Sequence, residues 1–371
     1  MIVWRDTPRQ LVLRGCALTG QGENMLRYLT AGESHGRALM AILEGLPAGL
    51  RVEKEKIDAE LSRRQEGYGR GARMRIEKDR VEILSGLYKG RTIGSPLGML
   101  IENRDFSIER QEAIFNPRPG HADLAGLLKY GFADARPVLE RASARETASR
   151  VAVGAVCKIF LAEFKVMINS KVTAIGGETS EKARQRIIDQ AISKKDSLGG
   201  VFELKVKGLL AGLGSYVQPD KRLNARLGQA VMSVPGIKAV EFGLGCECAG
   251  RFGSQVHDAI YYSKENGYYR KTNNAGGIEG GISNGEDIVL RGYMKPIATL
   301  NQPLKSVDIR TKKTVLASIQ RADTCAVQAA GVVAEAMCAL EIANALLDKF
   351  GGDCLPDIKQ AFGAYLKRIS Q

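Results

Sequence analysis

Apolar residues recur at helical spacing in three stretches of the chain. Ile57 and Leu61 stand four residues apart among charged residues, which predicts a short surface helix over residues 53–66. Small and apolar residues repeat with the same period over residues 143–164, and a similar density of alanine, valine and leucine covers residues 328–347. We expect both of these longer stretches to form packed helices.

The second of these stretches also carries a signal for where its helix begins. Ser143 is followed three residues later by Glu146, which is the spacing of a capping box. In such a box the two side chains bind the free main-chain N–H groups of the first helical turn. We therefore expect the helix to start directly after Ser143.

Alternation of apolar and polar residues predicts strands elsewhere. The segment Val201–Leu209 alternates with period two, as a half-exposed strand does, and a first strand is expected just after Met25. Strands and helices are thus interspersed, but 42 glycines do not fit a simple alternating pattern, so the pattern alone indicates only a mixed α and β fold. No repeat or linker divides residues 25–371, and we expect one domain there.

Residues 1–24 suit neither a secretory signal nor a transit peptide. The apolar run Leu11–Leu13 is too short for a signal, and Asp6 and Glu23 are acidic. We interpret this segment as an N-terminal extension, either disordered or preceding a true start at Met25. No stretch approaches the roughly 18 to 20 uninterrupted apolar residues of a membrane span, so a soluble protein is predicted.

Charge and cysteine content narrow the class of partner and the compartment. The net charge of +13 suits an anionic partner, which leaves nucleic acid, a membrane surface and phosphorylated small molecules open. The seven cysteines are odd in number and form no C-x-x-C pair. Reduced thiols in the cytoplasm are expected.

Two of the three histidines lie in short loops bracketed by glycine or proline. His35 stands in Gly-Glu-Ser-His-Gly, and His121 stands in Arg-Pro-Gly-His-Ala-Asp. Histidine exchanges protons near neutral pH, so both are candidate acid–base groups. The chain has no His-x-His or H-E-x-x-H spacing, and we predict no metal site. His257 lies in an ordinary polar turn and is assigned no role.

Three further segments have both a chemical and a structural interpretation. The arginine-rich loop of residues 63–75 suits phosphate or carboxylate binding, but also RNA binding or a solvated charged face. The glycine-rich run of residues 273–282 suits a ring or a phosphate, but also a tight turn. Asp323 precedes a predicted helix, and by itself it fits a helix-end anion better than a positioned base.

Six motifs, taken in order, carry a family resemblance that spans residues 32–327. They are Gly-Glu-Ser-His-Gly, Arg-Arg-Gln-x-Gly-Tyr-Gly-Arg, Arg-Pro-Gly-His-Ala-Asp, Ser-Ala-Arg-Glu-Thr-Ala, Asn-Ala-Gly-Gly-Ile-x-Gly-Gly-Ile and Arg-x-Asp-x-Cys-Ala-Val. Together they resemble the signature set of the chorismate synthase family. The resemblance implies an α+β fold, a single-domain β-α-β sandwich over residues 25–371 that assembles as a homotetramer.

The resemblance also implies an activity and its cofactors. Chorismate synthases are lyases of the shikimate pathway to the aromatic amino acids, and they eliminate phosphate from 5-enolpyruvylshikimate 3-phosphate with the help of reduced FMN. NADPH is a candidate reductant for the flavin, but the sequence does not say whether this protein reduces its own flavin. Binding a phosphorylated dicarboxylate and a flavin phosphate would account for the +13 charge without nucleic acid or membrane.

Residue roles follow from the same resemblance. His35 would protonate the departing phosphate, His121 would stabilise the anionic reduced flavin, and Asp323 would manage the proton on the flavin N5. Arg64 and Arg70 would meet NADPH or the substrate phosphate. The positions expected to contact the flavin are Arg141, Ala142, Ser143, Pro235, Gly236, Gly280, Lys295, Pro296, Ile297, Ala298, Thr299 and Arg321.

Three positions depart from the family pattern. Ala142 stands where many members have serine, Pro235-Gly236 replaces a commoner Asn-Ala, and Gln328 replaces a common proline. Their effect on flavin affinity is open, although none removes a proposed catalytic group. The alternatives are a flavin oxidoreductase with net hydride transfer, and an RNA-binding protein that uses residues 63–75.

Overall fold

Two four-stranded antiparallel sheets enclose a layer of helices. The computed structural model describes residues 26–71, 78–265, 267–320 and 323–369. Within those ranges the strands are β1 Arg27–Ala31, β2 Ala38–Glu44, β3 Val81–Ile83, β4 Leu87–Tyr88, β5 Arg91–Thr92, β6 Leu97–Glu102, β7 Met167–Ile175, β8 Gly200–Lys207, β9 Ile237–Phe242, β10 Ile260–Ser263, β11 Gly267–Arg270, β12 Ile278–Glu279, β13 Ile282–Ser283, β14 Ile288–Met294, β15 Lys305–Val307 and β16 Thr314–Leu316. The first sheet has the order β1-β2-β6-β3 and the second has the order β7-β8-β14-β9.

The helices of the same ranges are α1 Lys54–Gln65, α2 Asp123–Tyr130, α3 Arg136–Arg141, α4 Thr147–Ala162, α5 Glu181–Ser193, α6 Leu223–Met232, α7 Gly253–Val256, α8 Val327–Phe350 and α9 Leu355–Ile369. Of these, α4 and α8 lie between the two sheets. Helix α4 packs on the first sheet, α8 packs on the second, and the two helices pack against each other. Apolar residues on the inner faces of the strands, such as Leu39 and Phe202, complete the core.

Helix α8 is long and apolar enough, by length and composition, to cross a membrane, but 94% of its most apolar window is buried inside the protein. Its one fully buried carboxylate, Glu335, accepts hydrogen bonds from Arg63, Lys158 and Ser170. A buried charge needs such partners because burial removes its hydration. The helix is therefore a core element that ties α1, α4 and β7 together.

Helices α4 and α8 approach closely where a glycine faces an alanine. A Cβ atom added at Gly154 would lie 2.2 Å from the Cβ of Ala336, with main-chain atoms of Ala336 almost as near. No side chain can give way there, because both groups are fixed to helix backbones. The glycine is required for this helix pair to pack.

Gly154→Ala should therefore lower the free energy of unfolding by about 2–3 kcal/mol, the usual cost of overpacking a rigid core. Gly228→Ala is the matched control, because Gly228 lies in α6 and an added Cβ there meets nothing within 4 Å. That variant should gain about 0.5–1 kcal/mol from helix propensity. Urea unfolding of both variants tests the difference, and equal stabilities would show that the two helices can separate freely.

The helices and strands predicted from periodicity are confirmed, with small shifts in their bounds. The stretch 53–66 contains α1, the stretch 328–347 lies within α8, and the strand predicted at Val201–Leu209 is observed at Gly200–Lys207. The proposed start at Met25 and the extension 1–24 lie outside the described residues, as do residues 72–77 of the arginine-rich loop.

The predicted capping box is wrong. A short 3-10 turn, Ala144–Glu146, separates Ser143 from α4, and the Ser143 hydroxyl accepts from the N–H of Arg145 at 3.3 Å. The Glu146 carboxylate instead pairs with Arg150, one helical turn further on, at 2.7 Å. The helix begins at Thr147 because the 3-10 turn takes up the residues that the box would have used.

Candidate functional site

A cavity of about 930 Å³ opens where the loops after β1 and β14 meet α1, α3 and the start of α8. Its lining contains two histidines, several arginines and a run of main chain from β14 onward. This volume lies within the range typical of pockets for cofactors and small molecules. The cavity is thus large enough to hold more than one organic ligand of modest size.

His35 is held from one side of its ring by a buried carboxylate. Its Nδ1 lies 2.9 and 3.0 Å from the two carboxylate oxygens of Glu140. Because a carboxylate only accepts hydrogen bonds, Nδ1 carries a proton in this contact. The other ring nitrogen, Nε2, lies 3.8 Å from the carboxylate of Asp105, which also lines the cavity.

His121 has a similar arrangement with a different carboxylate. Its Nδ1 lies 2.5 Å from Oδ1 of Asp123, whose side chain is fully buried at the start of α2. Arg118 donates to both oxygens of the same carboxylate, from Nε at 2.8 Å and from Nη2 at 3.0 Å. Burial raises the pKa of Asp123, but the hydrogen bonds from His121 and Arg118 outweigh it and hold that pKa well below its usual range.

Asp323 pairs with the arginine-rich loop and does not cap a helix. Its Oδ2 lies 2.8 Å from Nη1 of Arg70, and its Oδ1 accepts from the N–H of Gly71 at 2.6 Å. Helix α8 begins only at Val327. The helix-end interpretation favoured for Asp323 in isolation is therefore wrong, and its carboxylate lies in the cavity lining.

Two buried arginines share one buried carboxylate at the floor of the cavity. Asp79 accepts from Nη2 of Arg64 at 2.8 Å and from Nη1 of Arg145 at 2.6 Å. Burial raises the pKa of Asp79, but the two guanidinium charges outweigh it and lower that pKa. Burial, together with the charges of Arg145 and Arg70, lowers the pKa of Arg64. Among the described residues, the buried Arg64 Nε has no hydrogen-bond partner.

The structure brings most of the predicted site residues into this one cavity. The predicted residues that line it are His35, Arg64, Arg70, His121, Ala142, Ser143, Pro235, Gly236, Lys295, Pro296, Ile297, Ala298, Thr299 and Asp323. Because these positions are spread over nearly 290 residues of sequence, their convergence is a result of the fold. Their individual roles stay predictions.

Two predicted residues are not brought to the cavity, and a third is not described. Arg141 points away from it and donates to the carbonyl oxygens of Gly32 and Thr30, at 2.8 and 3.1 Å. Gly280 lies in the turn between β12 and β13 and is not part of the lining, nor is the rest of the glycine-rich run. Arg321 lies outside the described residues.

Sequence reasoning missed several groups that shape the site. Arg118, Asp123 and Arg145 lie inside the motifs quoted above but were given no role, and the structure shows that each forms a buried ion pair. Asp79 and Glu140 have no motif of their own, and nothing in their spacing indicates the partners that they meet. Arg118 also donates to the hydroxyl of Thr299 at 2.6 Å, which fixes one wall of the cavity.

The main-chain segment of residues 295–299 contacts the loop that carries His121. The ammonium group of Lys295 donates to the carbonyl oxygen of Gly120, and Ser197 donates to the carbonyl oxygen of Ile297 at 2.7 Å. Burial, with a smaller effect from the charge of Lys238, lowers the pKa of Lys295. The described residues contain no cluster of three or more metal-binding side chains.

This donor set fits a flavin mononucleotide and an anionic substrate. A flavin needs a flat apolar wall, main-chain groups for its ring edge and a cation for its phosphate. In the cavity, Met294, Ile297 and Ala298 provide the apolar wall, and the exposed main chain provides groups for the ring edge. Lys295 provides the cation for the phosphate. The orphaned Nε of Arg64 is a donor suited to an anion.

Comparison with known proteins identifies relatives along almost the whole chain. The sequence model of the chorismate synthase family matches residues 26–347. Chorismate synthase from Thermoanaerobacter pseudethanolicus is 55% identical over 92% of this chain and 98% of its own length, and that from Geobacter sulfurreducens is 51% identical over 93% and 99%. A crystal structure of chorismate synthase, 43% identical, matches 93% of this chain and 98% of its own with a TM-score of 0.77.

Proposed function

This chain belongs to the chorismate synthase family, and we propose that its cavity binds 5-enolpyruvylshikimate 3-phosphate beside reduced FMN and eliminates phosphate to give chorismate. The protein is a carbon–oxygen lyase of the shikimate pathway to the aromatic amino acids. The observation that carries the proposal is that two histidines, each on a buried carboxylate, share one cavity with buried arginines. Elimination needs such a combination of proton donors and anion-binding groups.

The arginines supply the binding energy for an anion. Arg64 and Arg145 both pair with Asp79, and Arg70 pairs with Asp323. The buried Nε of Arg64 has no hydrogen-bond partner among the described residues, and a substrate phosphate or carboxylate would accept from it. NADPH, whose phosphates have the same chemistry, is the reductant that we propose for the flavin.

The flavin would lie along the walls formed by Ala142 and Ser143, by Pro235 and Gly236, and by residues 295–299. Pro235 has no N–H to donate, but Gly236 adopts φ +86°, a conformation that leaves its main chain open to a close approach. When bound, reduced FMN supplies the electron-rich ring that the elimination requires without being consumed. Flavin contacts at Gly280, Arg141 and Arg321 stay predictions, because the first two are not part of the cavity lining and the third lies outside the described residues.

The proton-handling roles that we propose are those that the family resemblance implies, and the geometry of the two histidines supports them. His35 would donate from Nε2 to the departing phosphate, since Nδ1 is occupied by Glu140. His121 would direct its Nε2 at the pyrimidine edge of the flavin, since Nδ1 is occupied by Asp123. Asp323, held by Arg70 and Gly71, would take up the proton near the flavin N5.

One assay tests the activity directly. Phosphate and chorismate are measured after mixing the protein anaerobically with 5-enolpyruvylshikimate 3-phosphate and chemically reduced FMN. We expect catalytic release that stops when the flavin is omitted. Replacing the chemical reductant with NADPH and oxidised FMN tests self-reduction. NADPH consumption in proportion to product would instead indicate a flavin oxidoreductase, and folded protein that releases no phosphate would contradict the proposal.

We further propose a homotetramer in the cytoplasm. The outer face of the first sheet exposes Leu29 and Ile42, which lie directly opposite each other on β1 and β2, and Leu84 extends this apolar face. Exposed apolar sheet faces favour contact with another subunit. Light scattering should give the mass of four chains, and Ile42→Lys should reduce it, whereas Ile192→Lys on the surface of α5 should not. A monomeric wild-type protein would contradict this proposal.

A further inference from the structure

We propose that Glu140 is a positioning residue for His35: it binds Nδ1–H and thereby presents Nε2 to the reacting end of the substrate. This inference rests on the proposed function, because it concerns how that reaction's proton donor is aimed. Glu140 does not line the cavity, so it acts through His35 and not on the substrate. Its side chain is only 1% exposed, which removes water as a competing partner.

Glu140 binds both the ring and the main-chain N–H of His35. Besides the two contacts to Nδ1, its Oε2 accepts from the main-chain N–H of His35 at 2.9 Å. Its own carbonyl oxygen accepts from the N–H of Ser34 at 3.0 Å. A histidine bound in this way keeps one tautomer and one ring orientation, because rotation about the side chain would break the Nδ1 contact.

The carboxylate of Glu140 is contacted more closely by His35 than by the neighbouring arginine. Arg136 on α3 approaches Oε1 only to 3.4 Å, and its Nε donates to the carbonyl oxygen of Glu112 at 2.8 Å. Burial raises the pKa of Glu140, but its hydrogen bond to His35 and the charge contacts outweigh that effect and lower it. Glu140 is therefore an anion whose shortest contacts all go to His35.

Other residues hold the loop in place independently of Glu140. Arg141, the next residue along α3, donates to the carbonyl oxygens of Thr30 and Gly32. From the other side, the Asn103 amide donates to the carbonyl oxygens of Glu33 and Gly36, at 3.1 and 2.8 Å. Because the loop is clamped at both ends, a change at Glu140 acts on the ring of His35 more than on the path of the chain.

The test is a double-mutant cycle of Glu140→Gln and His35→Ala in the anaerobic assay with reduced FMN. Glutamine keeps the shape but loses the charge, and it places an NH₂ group where one carboxylate oxygen accepted. We expect Glu140→Gln to lower kcat about tenfold to a hundredfold, the range seen when a carboxylate that orients a functional histidine is removed. KM for the substrate should change by less than about twofold, because Glu140 does not line the cavity and its loss removes no contact that binds the substrate.

In the His35→Ala background, Glu140→Gln should cause no further loss of kcat, because there is no ring left to position. The matched control is Glu146→Gln, which removes a buried carboxylate that pairs with Arg150 outside the cavity. Its kcat should equal that of the wild type.

Three outcomes would overturn the inference. Wild-type kcat in Glu140→Gln would show that the contact is not used, and an equal fractional loss in both backgrounds would show a purely structural role. Wild-type kcat in His35→Ala would remove His35 from the proposed mechanism as well, so that the two failures are distinguishable.

If Glu140→Gln does not fold, ¹⁵N spectra of the three histidines in the wild-type enzyme decide, with the His35 signals assigned from His35→Ala. A protonated Nδ1 supports the inference, and a bare Nδ1 contradicts it.

Discussion

Replacing His35 by alanine should lower kcat by about two to four orders of magnitude, the usual contribution of a general acid. The reason is that expelling phosphate as a fully charged leaving group is costly, and Nε2 of His35, whose side chain lines the cavity, is the proton donor that we propose. His35 is held by Glu140 on the side away from the cavity.

The measurement is kcat and KM for 5-enolpyruvylshikimate 3-phosphate under anaerobic conditions, with saturating reduced FMN. Loss of a group that acts in the transition state lowers kcat and kcat/KM together. His257→Ala is the control, because His257 does not line the cavity, and it should retain wild-type turnover. Circular dichroism and the melting temperature check that His35→Ala is folded. Turnover within a factor of two of the wild type would remove His35 from the proposed mechanism.

His121 and His35 differ in their charge environment, although a carboxylate holds the ring of each. The carboxylate of Asp123 is already paired with Arg118, so that its charge is balanced before the ring contributes. The arginine beside Glu140, Arg136, approaches one carboxylate oxygen at 3.4 Å. The two histidines thus lie in different charge environments, which suits one group that gives up a proton and another that stabilises an anion.

The sequence predicted those parts of the fold that depend on local periodicity. Helices α1, α4 and α8 show the 3.6-residue repeat because each buries one face or nearly all of its surface against the sheets. The pairing of β14 with both β8 and β9 was not predictable, because strand partners are set by contacts between distant residues. The layered sandwich came only from the family resemblance.

The residues of the candidate site also fall into some that the sequence indicated and some that it did not. His35 and His121 were found because glycine and proline beside a titratable group give a local signal in the sequence. Asp79 and Glu140 were missed because a carboxylate in isolation is typical of a surface residue. Only the fold buries them, and burial is what turns each into a partner for a charged group of the cavity.

Asp79→Asn should lower the free energy of unfolding by about 3–5 kcal/mol, the cost of removing one partner from a buried ion cluster. Asp79 is the shared acceptor of Arg64 and Arg145, and the side chains of all three are at least 96% buried. An asparagine keeps the shape but removes the negative charge that the two guanidinium groups share. Urea unfolding at neutral pH measures the effect. Asp348→Asn, which removes an exposed partner of Arg226, is the control and should cost less than about 1 kcal/mol.

The pH dependence gives an independent check on the same carboxylate. The pKa of Asp79 in the folded protein is lowered from its ordinary value of 3.8, so folding favours its charged form. Its contribution to stability is therefore fully present above about pH 5 and is lost as the pH falls through 3.8 toward the lower folded pKa. In Asp79→Asn this part of the acid dependence should be absent, so the stability difference from the wild type should shrink in acid. A difference that stays constant from pH 7 to pH 3 would mean that the charge of Asp79 is not what holds the two arginines in the cavity floor.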